Sequence, residues 1–322
     1  MLPAKDQLTI CFAHVAYQFE AQFAARQTGI AAFQVSTREA LEARIGEADV
    51  LVISGFWTNA LIPRAGKLKF IQSISAGVDQ YGKAELAAAG VRLASAQGAN
   101  ARAVAEHALA LILALARRLP EARDNQARHV WRGMIGDLAQ REDELGGKTL
   151  LVVGLGRIGA RLAALGRALD MHVIGIKRDP THGREAADEV MGLDGLAAAL
   201  PRADYVALTC PLTPETTGLI DAAALGRMKR SAFLVNCARG KVVDEAALTD
   251  ALRRRLIAGA GIDVTVEEPL AETSALWGME NALITPHTGG ETRSYETSII
   301  DLMMENLERL WRGETALKNQ VV

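Results

Sequence analysis

Three residues late in the chain have the types and surroundings for one kind of chemistry. They are Arg239 in Asn236-Cys237-Ala238-Arg239-Gly240, Glu268 before Pro269, and His287 in Thr285-Pro286-His287. A guanidinium is a planar fork of donors that stays charged, so Arg239 can hold a carboxylate and polarise a neighbouring carbonyl. Imidazole ordinarily titrates near neutral pH, which suits His287 to proton delivery. Glu268 can orient that imidazole and stabilise it when charged. An anion anchor, a proton donor and its carboxylate partner fit the reduction of a small 2-oxo acid, provided a hydride source lies beside them.

A hydride source has its own signature upstream, Gly154-Leu155-Gly156-Arg157-Ile158-Gly159. A strand-like run at 149–153 precedes it and a helical run at 160–169 follows, the context in which a G-x-G-x-x-G binds a dinucleotide. Gly154 permits the tight turn, Gly156 lets the backbone approach a pyrophosphate, and Gly159 lets strand and helix pack closely. The amides of Arg157 and Ile158, at the helix start, face the phosphates. Where an acidic residue normally holds the adenine-ribose diol, the chain reads Ile176-Lys177-Arg178-Asp179. Cations at that point suit a 2′-phosphate and favour NADP(H) over NAD(H). The alternative leaves Lys177 or Arg178 solvated, with Asp179 reaching the diol.

These side chains need a scaffold. Short apolar runs at 8–13, 50–54, 70–75 and 91–94 alternate with helical stretches, which implies a parallel sheet. A second series at 149–153, 172–176, 205–208, 233–236, 258–262 and 283–285 supplies six strands, enough for a doubly wound dinucleotide domain. Gly154, Lys177, Cys210, Arg239, Asp263 and His287 each follow one of these strand ends. Ligands bind outside the carboxyl ends of strands in open α/β sheets, so these residues are expected to converge on one crevice. The run 101–119 is apolar on nearly all sides until Pro120 stops it, and must be buried between domains or subunits. A helical stretch from about 291 to 311 is expected to return to the first domain. Substrate scope is assigned to the first domain, where Ser54-Gly55-Phe56-Trp57 follows a strand end. The aromatic pair either faces the crevice or packs in the core.

Composition narrows the function class. A chain of 322 residues suits two domains. The 36 basic and 38 acidic residues nearly balance, so no nucleic-acid partner is implied, and Arg253-Arg254-Arg255 reads as a solvated helix face. Cys11, Cys210 and Cys237 are odd in number and widely spaced, which fits a reduced cytoplasmic setting. No secretory signal opens the chain, and the apolar run 108–116 is too short to span a bilayer. His14, His107, His129, His172 and His182 read as packing or surface residues without metal-ligand spacing.

The motifs together resemble the D-isomer-specific 2-hydroxyacid dehydrogenase family over essentially the whole chain. They are the glycine fingerprint, Ser75-Ala-Gly-Val-Asp79, Val104-Ala-Glu-His107, Cys210-Pro-Leu-Thr-Pro-Glu-Thr-Thr-Gly218, Asn236-Cys-Ala-Arg-Gly240, Gly261-Ile-Asp-Val264 and Thr285-Pro-His287. The resemblance implies an α/β protein of two doubly wound parallel-sheet domains, a Rossmann domain (101–290) inserted into a flavodoxin-like substrate domain (1–100 plus 291–322). It implies Arg239, Glu268 and His287 as the catalytic set, and substrate-carboxylate binding by the amides of Gly77 and Val78. It also implies that Cys210, Pro211, Thr216, Cys237, Ala238 and Gly289 line the cofactor, and that Asp263 meets the nicotinamide carboxamide. The alternative for Asp263 is a cap or turn residue. A homodimer formed through the 101–119 helix is the expected assembly. Glyoxylate and hydroxypyruvate are the leading substrates. A corepressor-like dinucleotide sensor with little turnover is the competing reading. Formate oxidation is disfavoured, since its pattern calls for an amide where Glu268 stands.

Overall fold

The computed structural model describes residues 2–322, which divide into two compact units: the chain up to Asn100 together with Glu291–Val322, and Ala101–Gly290. Among the described residues no helix is long and apolar enough to cross a membrane.

The first unit runs β1 (Thr9–Ala13), α1 (Phe19–Ala24), β2 (Ala31–Val35), α2 (Arg38–Arg44), β3 (Val50–Ile53), β4 (Phe70–Ser73), α3 (Lys83–Ala88) and β5 (Arg92–Ala94). All neighbours pair in parallel in the order β2-β1-β3-β4-β5, the flavodoxin-like arrangement. Every residue of β3 is buried, as a strand covered on both faces requires. Its side chains alternate between two cores: Val50 and Val52 join Ile10, Phe12 and Phe70, whereas Leu51 and Ile53 join Cys11, Leu41 and Ile71.

The second unit opens with two helices, α4 (Ala101–Ala116) and α5 (Leu119–Ala127). There follow β6 (Thr149–Val153), α6 (Arg157–Ala168), β7 (His172–Ile176), β8 (Glu189–Met191), α7 (Leu196–Ala199), β9 (Tyr205–Leu208), α8 (Ala222–Arg227), β10 (Phe233–Asn236), α9 (Glu245–Arg253), β11 (Gly259–Ile262) and β12 (Ala282–Ile284). The parallel order is β12-β11-β10-β9-β6-β7-β8. Winding runs outward in both directions from β6, so the topological switch point lies between β6 and β9. Asp221 and Asp244 cap α8 and α9 by accepting hydrogen bonds from the amides of Ala224 and Ala247. The last helix, α10 (Tyr295–Trp311), belongs to the first unit and packs Ile299, Ile300 and Met303 against Leu8, Ile10 and Phe12.

Two strands depart from the sequence expectation. β2 and β8 are edge strands with partly exposed side chains, so neither carries the continuous apolar run that marks an interior strand. The dinucleotide-type sheet therefore has seven strands where six were expected. Pro120 also plays a different part. α4 ends at Ala116, Arg118 turns into the left-handed region at φ 51°, and Pro120 lies in the first turn of α5. A proline tolerated in a first helical turn begins a helix here instead of ending one.

Candidate active site

The glycine loop sits at the switch point, and its three glycines have three distinct surroundings. Gly154 has φ +101°, and an added Cβ would lie 2.5 Å from both the Cα and the amide nitrogen of Cys210. A Cβ on Gly159 would lie 2.3 Å from the Gly154 carbonyl oxygen and 2.9 Å from Val152 Cγ1, so strand β6 and helix α6 meet only because this position is bare. Gly156, the N-cap of α6, has nothing within 4 Å of the same construction. Open space before the first amides of a twelve-residue helix is the setting in which a phosphate group binds. The residues present therefore fit a dinucleotide.

Across the switch point, Thr216 ties down the loop after β9: its hydroxyl donates to the Pro211 carbonyl (2.7 Å) and accepts from the Thr213 amide (2.8 Å). Cys210, Cys237 and Ala238 are buried. Burial pushes the Cys210 thiol up to about 11 and raises that of Cys237, the latter helped by the Asp263 charge. Thiols held neutral are poor nucleophiles.

Beyond β10 the chain turns sharply, and the buried Asn236 side chain fixes the turn. It accepts from the Ala238 amide (3.0 Å) and donates to the Arg239 carbonyl (3.1 Å). Arg239 is half-buried, with Nη1 donating to the Ala238 carbonyl (2.8 Å). Glu268 is held by the Thr265 amide on Oε1 (3.2 Å), while Val266 donates to Glu245 on α9 (2.9 Å). On its other oxygen, Oε2, Glu268 lies 2.7 Å from His287 Nδ1. A carboxylate only accepts, so Nδ1 carries the proton and Nε2 is the ring atom left for chemistry. Partial burial alone would raise the Glu268 carboxyl; the hydrogen bond and charge of His287, the Thr265 amide and the Arg239 charge more than offset it and hold it below its ordinary value. The three residues thus form one electrostatic unit.

The loop carrying His287 is folded around Asp263, a carboxylate only 4% exposed. The Asp263 carbonyl accepts from the His287 amide (2.8 Å), and its carboxylate accepts from the Thr288 amide (3.0 Å), the Gly289 amide (3.1 Å) and the Thr285 hydroxyl (2.7 Å). His107 Nε2, from α4, lies 2.9 Å from Thr285 Oγ1 and 3.2 Å from Asp263 Oδ1. Desolvation pushes the Asp263 carboxyl up, but the hydrogen bonds from His107, Thr285 and Gly289 win and hold it low.

The whole of this geometry lies in the second unit, and residues 109–289 match the family model for the D-isomer specific 2-hydroxyacid dehydrogenase NAD-binding domain. The chain belongs to the D-isomer specific 2-hydroxyacid dehydrogenase family. It is 37% identical over 286 residues to D-3-phosphoglycerate dehydrogenase of Methanocaldococcus jannaschii, covering 87% of this chain and 53% of that one. It is 34% identical over 253 residues to glyoxylate reductase of Korarchaeum cryptofilum, covering 78% of this chain and 75% of that one. A solved protein of Thermus thermophilus is similar throughout: 32% identity, 97% of this chain and 100% of that one covered, TM-score 0.85. The chain spans about half the length of the phosphoglycerate dehydrogenases it matches.

Several residues of this family member sit differently from their sequence reading. Lys177 is only partly exposed: its ammonium donates to the carbonyls of His182 (2.6 Å) and Gly183 (3.3 Å) and pairs with Glu185 (3.0 Å). Asp179 is likewise engaged by Thr181 and His182. Of the basic pair, Arg178 is the exposed member. In the first unit Trp57 is buried against Tyr81 and donates to Asn59, so the aromatic pair divides, with Trp57 in the core and Phe56 partly covered. His107, read as a packing or surface residue, belongs to the polar network behind His287. Its signal in the sequence was the Val104-Ala-Glu-His107 motif, which periodicity alone reads as one more turn of an apolar helix.

Proposed function

We propose that the protein is an NAD(P)-dependent reductase of small, unphosphorylated 2-oxo acids, with glyoxylate or hydroxypyruvate as substrate and a D-2-hydroxy acid as product. The observation that carries this reading is the 2.7 Å pairing of His287 Nδ1 with Glu268, beside the charge of Arg239. Arg239 holds the substrate carboxylate and polarises the carbonyl; in the first unit, the amides of Gly77 and Val78 are proposed as carboxylate donors. His287 Nε2 delivers a proton to the carbonyl oxygen, and Glu268 keeps the ring in the tautomer and orientation that this needs. The nicotinamide supplies hydride when bound. Gly154, Gly156, Gly159 and the amides of Arg157 and Ile158 would hold the pyrophosphate of the dinucleotide. Cys210, Pro211, Thr216, Cys237, Ala238, Asp263 and Gly289 line the remainder, with one lone pair of Asp263 Oδ2 left for the carboxamide.

An unphosphorylated substrate is favoured by what the first unit lacks. The segments leaving β1, β3, β4 and β5 at their carboxyl ends, 14–18, 54–58, 74–82 and 95–100, contain no Lys or Arg; Arg38 follows only the edge strand β2. Phosphate recognition calls for cations, whereas these loops offer Ser54, Ser75 and Gln80, already hydrogen-bonded to one another. NADP(H) is preferred over NAD(H) through Arg178. A spectrophotometric panel of glyoxylate, hydroxypyruvate, pyruvate, phenylpyruvate and a phosphorylated 2-oxo acid against NADPH and NADH tests the reading. Turnover confined to the phosphorylated acid would overturn it, and so would His287→Gln and Arg239→Ala variants as active as the parent.

A homodimer is also proposed, but through a different surface from α4. The apolar faces of α4 are largely taken up within its own unit, against α6, β10 and β11. Five of the exposed large apolar side chains instead fall in one stretch of chain, at Leu119, Val130, Trp131, Met134 and Leu138.

A further inference from the structure

We propose that His107 on α4 is a positioning residue for His287, acting through Thr285 and Asp263, an assignment that rests on the catalytic reading of His287 given above. His287 has φ 55°, in the left-handed region that a side-chain-bearing residue occupies only when its surroundings hold it there. The hold comes from one buried carboxylate. Asp263 gathers the Thr288 and Gly289 amides and the Thr285 hydroxyl on its side chain, and the His287 amide on its carbonyl. Every one of those donors belongs to the same short loop. Backbone bonds already join the cluster to the sheet, from the Asp263 amide to the Asn236 carbonyl (3.0 Å) and from the Thr285 amide to the Ile262 carbonyl (2.9 Å), and His107 adds the side-chain tie to α4.

Chemistry sets the direction of that tie. The Thr285 hydroxyl donates to Asp263 Oδ1 (2.7 Å), and a carboxylate cannot donate, so His107 Nε2–H is the donor shared between Thr285 Oγ1 (2.9 Å) and Asp263 Oδ1 (3.2 Å). Packing admits little slack. A Cβ on Gly289 would lie 2.7 Å from Asp263 Oδ2 and 3.1 Å from His107 Cδ2, so the imidazole also forms the wall against which the loop turns. α4 itself is anchored by buried Val104, Ala105, Ala108 and Leu111 on either side of His107. Without His107, a water can replace the hydrogen bond but not the fixed distance to the helix. The 285–289 loop then relaxes, and His287 Nε2 is displaced.

Hydrogen exchange in the full-length protein, with His107→Ala and His107→Gln, tests this without any substrate. Gln retains a donor that can reach toward Thr285 and Asp263. His107→Ala is expected to speed exchange of the Thr288 and Gly289 amides about tenfold, with most of the protection restored in His107→Gln. In steady-state assays the Ala variant should lose kcat about tenfold or more, a distinctly larger factor than any loss of cofactor affinity through Asp263 and Gly289, because a small misplacement of His287 costs rate above all. Unchanged exchange in His107→Ala would overturn the tether. Equal losses of kcat and cofactor affinity would make His107 a cofactor-site residue and overturn it as well. If the Ala variant does not fold, the same readouts on His107→Gln decide: near-parental exchange and kcat support the proposal, and exchange as fast as in unfolded chain overturns it. Faster loop exchange in a protein whose parent reduces no 2-oxo acid would sink the reductase reading and leave the tether standing.

Discussion

Gly240 and Thr265 are in backbone contact: a Cβ added to Gly240 would lie 2.0 Å from both the carbonyl carbon and the carbonyl oxygen of Thr265. The contact joins the turn that presents Arg239 to the loop whose Thr265 amide holds Glu268. No side-chain rotation can relieve such an overlap, since the opposing atoms are main chain. Gly240→Ala should therefore push the two loops apart, costing about 1–3 kcal/mol of overpacking and lowering Tm by roughly 2–12 °C for a domain of this size. Turnover should fall far more than stability does. Calorimetry alongside initial rates checks this, and a variant with parental rates would show that the contact does not matter to the site.

Glu268 sets a pH expectation. Its carboxyl is held below its ordinary value of 4.5 because, against partial burial, the His287 and Thr265 hydrogen bonds and the His287 and Arg239 charges favour the ionised form. A depressed folded-state value contributes stability above the unfolded-state value, and that contribution is lost as pH falls through the folded one. The Glu268–His287 pair should thus persist through neutral and mildly acid conditions and fail only below about pH 4.5. Glu268→Gln should lower kcat by about ten- to a hundredfold at neutral pH and flatten the acid dependence of stability in that window. Parallel urea melts of variant and parent between pH 3 and 7 give the comparison; coincident pH profiles would refute the coupling.

Legibility in the sequence followed burial. Interior strands such as β6, β7, β9 and β10 announce themselves as apolar runs because both faces are covered. The edge strands β2 and β8 have too much exposed side chain to do so. The fingerprint glycines were readable because their spacing encodes two close contacts, at Gly154 and Gly159, and the open space at Gly156 before the helix. Partners brought together from distant positions were not. The 177–185 loop that closes on Lys177, the Glu245 bond to Val266, and the approach of His107 to the far-removed Asp263 depend on tertiary placement. Trp57 illustrates the same limit: its position after a strand end allowed either exposure or burial, and only packing against Tyr81 decides.

Cofactor choice should separate Arg178 from Lys177. Lys177 is spent inside its own loop on His182, Gly183 and Glu185, so Lys177→Ala should disturb NADPH and NADH use alike by loosening that loop. Arg178 is exposed and acts only as a charge at the end of β7. Arg178→Ala should raise KM for NADPH by about tenfold, the scale of one charge-assisted hydrogen bond, and leave NADH nearly unchanged. Equal effects of Arg178→Ala on the two cofactors would remove the basis for an NADP(H) preference.

Trp131 is 98% exposed and Met134 wholly so, on a segment that follows a helix, α5, with no buried residue. Trp131 forms one edge of a hollow of about 510 Å³ whose other lining residues include Arg118, Glu121, Asn125, Arg132 and Glu142. A projecting apolar side chain next to a hollow whose rim carries both charge signs is self-complementary, which is what a two-fold contact between identical chains requires. Solvating an indole completely wastes the largest apolar side chain available, and aromatic residues of this kind dominate binding energy where they are covered. Trp131→Glu should therefore weaken a dimer by about 2 kcal/mol or more, roughly thirtyfold in Kd. Sedimentation velocity across a concentration series should show a dimer for the parent and a shift toward monomer for the variant. A parent that sediments as a monomer throughout would dispose of the interface, and an unshifted Trp131→Glu dimer would move it elsewhere on the chain.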